Sequence, residues 1–186
     1  MARVGFTRMD RGTPEDFALA LEAEEREKPG LPERVLDLLK SLDRPETCYR
    51  VTRYEHSLQT ATRALRDGAG EEEVVCALLH DVGDLLAPDN HGAFAAALLE
   101  PYVSEKNTWI VRHHGVFQGY YYFHHWGRDR DARERFREHP WFDDAVAFCE
   151  RWDQVSFDPD YDTETIETFA PLVRRVFLRE PGGASR

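Results

Sequence analysis

The chain has few cysteines and no long apolar run. Cys48, Cys76 and Cys149 lie far apart and form no Cys-x-x-Cys pair, which argues against a disulfide framework or a thiolate zinc site. No apolar stretch approaches the roughly 20 residues that a membrane-spanning helix needs, and the N-terminal segment lacks the apolar core of a signal peptide. We therefore expect a protein of the reducing cytoplasm with no membrane partner.

Positive charge is also scarce. The 186 residues include 24 Lys and Arg against 35 Asp and Glu, a formal net charge of −11, and no block of five or more basic residues occurs. Such a surface repels the phosphates of nucleic acids. We expect no nucleic-acid partner, a small-molecule substrate, and a monomer or homodimer.

Alternating strand patterns are scarce as well, whereas apolar residues recur with helical spacing through most of the chain. The predicted helical segments are 13–30, 31–43, 53–68, 71–83, 91–102, 104–115, 129–137, 141–155 and 163–179. Thr13 is the predicted N-cap of the first, and Asp89 or Asn90 that of the fifth. The pattern predicts one all-α domain over residues 1–180, followed by a disordered tail at 181–186.

The apolar run Cys76–Leu79 leads to His80 and Asp81. Side chains of neighbouring helical residues diverge by about 100°, so both reach one metal ion only where the helix presents them to a cleft. An aspartate has two oxygen atoms and can bridge two ions. Further candidate ligands lie beside apolar runs on other helices, namely His56, His91, His113 or His114, and Asp153. Nitrogen and oxygen ligands without thiolate favour iron, manganese or similar ions over structural zinc.

Two positions in this set have competitors. His114 is favoured over its neighbour His113, which points elsewhere on the helix. Asp153 follows a tryptophan on a predicted helix, whereas the later aspartates at 158, 160 and 162 are typical of turns and caps. We therefore expect His114 and Asp153 in the metal site.

This order of ligands resembles the HD-domain superfamily. More narrowly, it is similar to the mixed-valence diiron oxygenases, which include myo-inositol oxygenase and bacterial phosphonate-cleaving oxygenases. The resemblance covers about residues 46–158 and depends on "YEHSLQTA" (54–61), "ALLHDVGD" (77–84), "NHGAFAAALL" (90–99), "IVRHHGVFQGYYY" (110–122) and "ERWDQ" (150–154). It implies a single HD-domain helical bundle with a dinuclear metal site.

The resemblance also implies how the ligands are divided. The first iron ion would be held by His56, His80, Asp81 and Asp153. Asp81 would bridge to a second iron ion, which His91 and His114 also hold. Members of this group keep an Fe(II)/Fe(III) pair and use O2 as co-substrate to cleave a C–C or C–P bond. We expect a small hydroxylated substrate of this kind, with an organophosphonate as one candidate.

Other roles implied by the resemblance concern the substrate. Phosphonate-cleaving relatives carry a tyrosine and then a glutamate before the first ligand, and here Glu46 and Tyr49 stand in the reverse order as catalytic candidates, together with Asp81 and Asp84. Basic or phosphonate-binding side chains of relatives are replaced by Asp84, Gln118 and Glu150, which become substrate-binding candidates. Two of these three are acids and disfavour a phosphonate dianion unless cations compensate. The arginines nearby in sequence are Arg53, Arg112 and Arg151.

Asp84 and the aromatic segment "GYYYFHHWG" leave alternatives open. Many HD phosphohydrolases have a lysine at the position of Asp84, which can here bind a cationic or polyol substrate, orient a ligand histidine, or lie exposed at a helix end. Tyr120 and Tyr121 are pocket candidates, against ordinary packing onto the core. The alternatives to an oxygenase are a metal-dependent HD phosphohydrolase of nucleotides or phosphomonoesters, and a metal-stabilised binding module.

Overall fold

The computed structural model describes residues 2–182, and all regular secondary structure in that part of the chain is helical. The α-helices are α1 (Pro14–Glu27), α2 (Leu31–Lys40), α3 (Arg53–Arg66), α4 (Glu71–Leu79), α5 (His91–Leu99), α6 (Glu105–Gln118), α7 (Phe142–Phe148) and α8 (Ile166–Phe177). A π-helical segment, Cys149–Asp153, continues α7. The all-α prediction is confirmed.

The centre of the core is α4. Its residues from Val74 to Leu79 are all buried, and the helix packs against α3, α6 and α8. Alanine, valine and leucine occupy most of this stretch, so the helix is apolar on every side, as a helix enclosed by others must be. The His-Asp pair that follows α4 therefore begins at the centre of the molecule.

Two glycines allow α5 to approach its neighbours closely. A Cβ atom on Gly83, in the turn after α4, would lie 2.8 Å from the backbone oxygen of His91, and one on Gly92 would lie 3.0 Å from the backbone oxygen of Val111. Neither distance accommodates a side chain. The absence of a side chain at both positions lets the start of α5 lie against the turn and against α6.

Several predicted boundaries change. The segment predicted as a helix at 129–137 forms only a 3-10 helix, Ala132–Phe136, which has no fully buried residue and reaches the core through the partly buried Phe136. This is too little apolar surface to hold a longer helix. Asn90 stands at the N-cap of α5, but its side chain makes no capping bond. In the predicted tail, Gly182 donates a backbone hydrogen bond to Pro101 at 2.8 Å. Residues 183–186 lie outside the described part. In residues 2–182 no helix combines the length and apolar character needed to cross a membrane.

Capping boxes headed by threonine at both α1 and α3 allow a matched stability test. Thr13 and Thr52 each head a capping box, completed by Asp16 and Glu55. Thr52→Ala is expected to lower the free energy of unfolding by about 1 kcal/mol, or about 0.5 M in urea midpoint, because α3 is a core helix. Thr13→Ala is expected to cost less than about 0.5 kcal/mol, because α1 has no buried residue and frays locally. Equal losses in urea titrations followed by circular dichroism would contradict this difference.

Candidate metal centre

Six side chains from separate parts of the chain converge on one point at the end of α4. They are His56 of α3, His80 and Asp81 after α4, His91 of α5, His114 of α6, and Asp153 of the π-helical segment. All but His91 are buried, and His91 is half-buried. Every residue predicted as a metal ligand thus lies in this cluster.

The His80-Asp81 pair lies in a turn because α4 ends at Leu79. The histidine ring is fixed by its Nδ1 atom, which lies 2.8 Å from the backbone oxygen of Ala77. The helix does not continue through this pair, so the two side chains need not diverge by the 100° of neighbouring helical residues, and both point into the same pocket.

Asp153 is positioned by the π-helical segment that ends there. Within this segment the Gln154 N–H donates to the backbone oxygen of Cys149, five residues earlier, at 3.0 Å. The wider turn rotates the residues that follow relative to a regular α-helix, and such segments recur at functional sites. The Asp153 side chain is fully buried, and Gln118 donates an amide hydrogen bond to its Oδ1 atom. Its Oδ2 atom has no hydrogen-bond partner among residues 2–182.

Asp81 lies between two pairs of histidines. Its Oδ2 atom is 3.5 Å from His56 Nε2 and 3.4 Å from His80 Nε2. Its Oδ1 atom is 3.3 Å from His91 Nε2 and 3.1 Å from His114 Nε2. Each oxygen of one carboxylate therefore faces a different pair of imidazoles.

The positions of the ring nitrogens fit a metal ion. The Nδ1 atoms of His56, His80 and His114 lie 2.9, 2.8 and 2.6 Å from backbone carbonyls, which accept a hydrogen bond from Nδ1 and leave Nε2 to bind a metal. The Nε2 atoms lie 3.1 Å apart between His56 and His80 and 3.2 Å apart between His91 and His114. Lone pairs this close repel unless a cation lies between them, which is the arrangement of metal-bound imidazoles with an outer hydrogen bond.

The charges of the cluster favour a cation as well. Burial raises the pKa of Asp81, but the neighbouring histidines outweigh burial and hold that pKa well below its usual range. The pKa of Asp153 is lowered in the same way against burial, by His56 and His80. The same carboxylates raise the pKa of His56 and of His80, although burial lowers it. Both carboxylates are therefore ionised, and a metal ion would supply the positive charge that these histidines otherwise take up as protons.

Asp84 contacts both an arginine and a candidate ligand. Its carboxylate pairs with Arg53, and its Oδ1 atom lies 3.2 Å from Nδ1 of His91. Its side chain is only 7% exposed, so the interpretation as an exposed helix-end carboxylate is wrong. Burial, followed by the charge of Asp81, raises the pKa of Asp84, and Arg53 opposes this shift. A carboxylate on the far nitrogen of a ligand histidine fixes its ring orientation.

The other substrate candidates separate into two groups. Tyr49 and Gln118 line the cleft of about 530 Å³ that opens onto Asp81 and His91. Tyr121 lines an adjoining cavity. Glu46, Tyr120 and Glu150 are not among the residues that line either space, and Glu46 and Glu150 are exposed.

Tyr120 packs under two arginines instead. The guanidinium carbons of Arg130 and Arg133 lie 4.1 and 3.7 Å from the centre of its ring. For Tyr120, ordinary packing is the interpretation that the structure favours.

His113 also lies outside the cluster of candidate metal ligands. Its ring lies 4.8 Å from that of Trp109 and 4.7 Å from that of Phe136.

The arginines near the cluster differ in their surroundings. Arg53 and Arg112 line the cleft, whereas Arg151 pairs with Asp67 at 2.8 Å on another face. Sequence reasoning missed Arg128, which also lines the cleft. The left-handed conformation of Gly127, with φ of 66°, turns the chain so that the Arg128 N–H bonds back to Phe123, and a glycine after an aromatic helical stretch was the available signal.

Phe157 was also missed, because its segment has the composition of a turn. Its ring stacks on that of His56 with centroids 4.4 Å apart. Gln59 fixes this segment through hydrogen bonds in both directions with the backbone of Asp158, at 2.7 and 3.3 Å. The glutamine one turn after the first histidine therefore positions the chain that covers that histidine.

Comparison with protein families agrees with this geometry. The family model of the HD domain matches residues 53–140. This stretch is an HD domain. The match contains the candidate ligands from His56 to His114 and ends before Asp153. HD domains are typically metal-dependent enzymes. A search of the curated proteins finds no match for the chain.

Adjacent histidines of the HD domain provide a test of metal binding. Anaerobic addition of Fe(II) in excess is expected to raise the Tm of the wild-type protein by about 5 °C or more, because only the folded chain assembles the site. His114→Gln is expected to lose at least half of this rise, and His113→Gln is expected to keep it. The readout is the metal-dependent difference in Tm, which a general loss of stability leaves unchanged. An equal rise in both variants would contradict the assignment of His114.

Proposed function

We propose that the chain is a non-haem diiron oxygenase that uses O2 to cleave a C–P or C–C bond of a small hydroxylated substrate. The observation that carries this proposal is the Asp81 carboxylate, whose two oxygen atoms face separate histidine pairs. One ion would take His56, His80, Asp81 and Asp153, and a second would take Asp81, His91 and His114. This ligand count leaves coordination positions open for a substrate hydroxyl and for O2.

The reaction of an α-hydroxyphosphonate illustrates the chemistry. Such a substrate and one O2 give a carboxylate, inorganic phosphate and a proton, with every atom accounted for. When bound, the iron pair supplies the one-electron chemistry and the Lewis acid that this conversion needs. Gln118 holds the orientation of Asp153 through their hydrogen bond, and Asp84, itself held by Arg53, fixes the ring of His91. The chain thus orients ligands of both candidate ions.

The charges of the cleft support an anionic substrate. Arg53 pairs with Asp84, and Glu150 is exposed and does not line the cleft. Neither of these two acids therefore places an unpaired negative charge beside an anionic substrate. Arg112 and Arg128 line the cleft, and no carboxylate of residues 2–182 pairs with either. The remaining acid on the lining, Asp89, is exposed at the rim. Two guanidinium groups are therefore available to a phosphonate.

The second candidate function is hydrolysis of phosphomonoesters. The two available arginines favour it as well, because a phosphate ester and a phosphonate present the same dianion. The lysine that many HD phosphohydrolases carry at position 84 is an aspartate here, and its charge is already paired with Arg53. We therefore place hydrolysis second.

Oxygen dependence separates the two functions. Iron-loaded protein is expected to hold about two iron ions per chain, to show a mixed-valence EPR signal after mild reduction, and to consume one O2 for each phosphate released from hydroxymethylphosphonate. His91→Gln is expected to keep about one iron ion and to lose the signal and at least 100-fold in turnover, because it removes a ligand of the second ion alone. His113→Gln is the matched control and keeps both. Phosphate release from p-nitrophenyl phosphate without O2, with no O2 uptake on any hydroxylated substrate, would instead identify a phosphohydrolase.

The arginines provide a test of anion binding. Arg112→Gln and Arg128→Gln are each expected to raise the KM for hydroxymethylphosphonate about 10-fold or more with a smaller change in kcat, because each removes a charge-assisted bond worth about 1.5–3 kcal/mol. Arg151→Gln is the control, since its side chain pairs with Asp67 outside the cleft. Steady-state O2 uptake measures all three. An unchanged KM in both cleft variants would show that the anion binds elsewhere.

A further inference from the structure

We infer that the substrate carries a neutral planar apolar group, and that the aromatic cavity beside the metal centre binds it. This inference rests on the proposed function, because it assigns a second part of the same substrate. We call this cavity the aromatic arm. It has a volume of about 330 Å³, and the rings on its lining belong to Tyr49, Tyr121, Tyr122, Trp126 and Phe157.

The aromatic arm is continuous with the metal cleft. Tyr49, Gln118, Tyr122 and Trp126 line both spaces. Gln118 donates a hydrogen bond to Asp153, so the junction of the two spaces lies one side chain away from a candidate ligand. A substrate whose hydroxyl reaches the metal centre can therefore extend into the arm without crossing a wall of the protein.

The rings form two walls that are partly exposed. Tyr49 packs on Phe157 with centroids 5.2 Å apart, and Tyr122 packs edge-on against Trp126 at 4.7 Å. Trp126 is 59% exposed and Tyr49 is 44% exposed, values that are high for large apolar rings. A planar group between the walls would bury this surface and add ring-to-ring contacts.

The lining of the arm favours a neutral occupant over a cationic one. Among the described residues, the lining of the arm includes no acidic or basic side chain. The guanidinium carbons of Arg53 and Arg128 already lie 5.7 Å from the ring centre of Tyr49 and 5.4 Å from that of Trp126. A cation in the arm would find no carboxylate on the lining to pair with, and an arginine already lies over two of the ring faces that could bind it. A cavity of about 150 Å³ is sufficient for benzene, so the arm has room for a six-membered ring.

Two phosphonates that differ only by a phenyl group test this inference. Iron-loaded protein is titrated anaerobically, so that no turnover occurs, with 1-hydroxybenzylphosphonate and with hydroxymethylphosphonate, and binding is measured by calorimetry. The phenyl compound is expected to bind at least 10-fold more tightly. Trp126→Ala and Tyr121→Ala are each expected to reduce this preference to threefold or less. Tyr121 lines the arm but not the metal cleft, so Tyr121→Ala is also expected to leave the Kd of the small compound within twofold. Trp141→Ala, which removes a tryptophan outside the arm, is expected to keep the full preference.

The outcomes distinguish this inference from the proposed function. Equal affinity for the two compounds, or an unchanged preference in both arm variants, overturns the arm even if O2-dependent turnover is found. If neither phosphonate binds, the assignment of a phosphonate substrate fails, and benzyl alcohol then tests the arm through the tryptophan fluorescence. Quenching by benzyl alcohol that Trp126→Ala abolishes and Trp141→Ala retains supports the arm, and no quenching overturns it. A larger change in tryptophan fluorescence with tetramethylammonium than with benzyl alcohol also overturns the assignment of a neutral group.

Discussion

The rest of the structure depends on one buried carboxylate, that of Asp81, with a pair of imidazole Nε2 atoms beside each of its oxygen atoms. Such an arrangement is costly without a cation, because lone pairs face one another about 3 Å apart in a medium of low dielectric constant. It persists because backbone carbonyls hold the Nδ1 protons of three of the histidines. The fold therefore holds a preformed binding site for a cation.

These Nδ1 bonds show how the fold and the site depend on each other. His80 and His114 bond to carbonyls three residues earlier, so each ring is fixed by its own helix or turn. His56 instead bonds to the carbonyl of Ser156, one hundred residues away, in the segment that Gln59 clamps. Loss of that segment would release the histidine ring without touching α3 itself. The first histidine of the HD domain is thus oriented by residues beyond the 53–140 match.

The sequence predicts the helices and the candidate ligands well, and it predicts their surroundings poorly. Apolar periodicity is a local property, so α3 and α4 and the residues they carry can be identified from spacing alone. The π-helical turn that brings Asp153 inward depends on packing around α7 and has no such signature. The pairing of Asp84 with Arg53, and the exposure of Glu150, depend on side-chain directions that spacing does not determine. The charge of the cleft could therefore not be read from composition.

The Asp84–Arg53 pair changes what the acid at position 84 means for the substrate. An isolated carboxylate beside the metal centre would repel an anion and attract a cation. Paired with a guanidinium that lies over the ring of Tyr49, it does neither, and its remaining contact orients His91. The same guanidinium lies over the ring of Tyr49 and so occupies an aromatic face that a cation in the arm would otherwise use. One ion pair thus supports both parts of the proposed substrate, an anionic head beside the metal centre and a neutral ring in the arm.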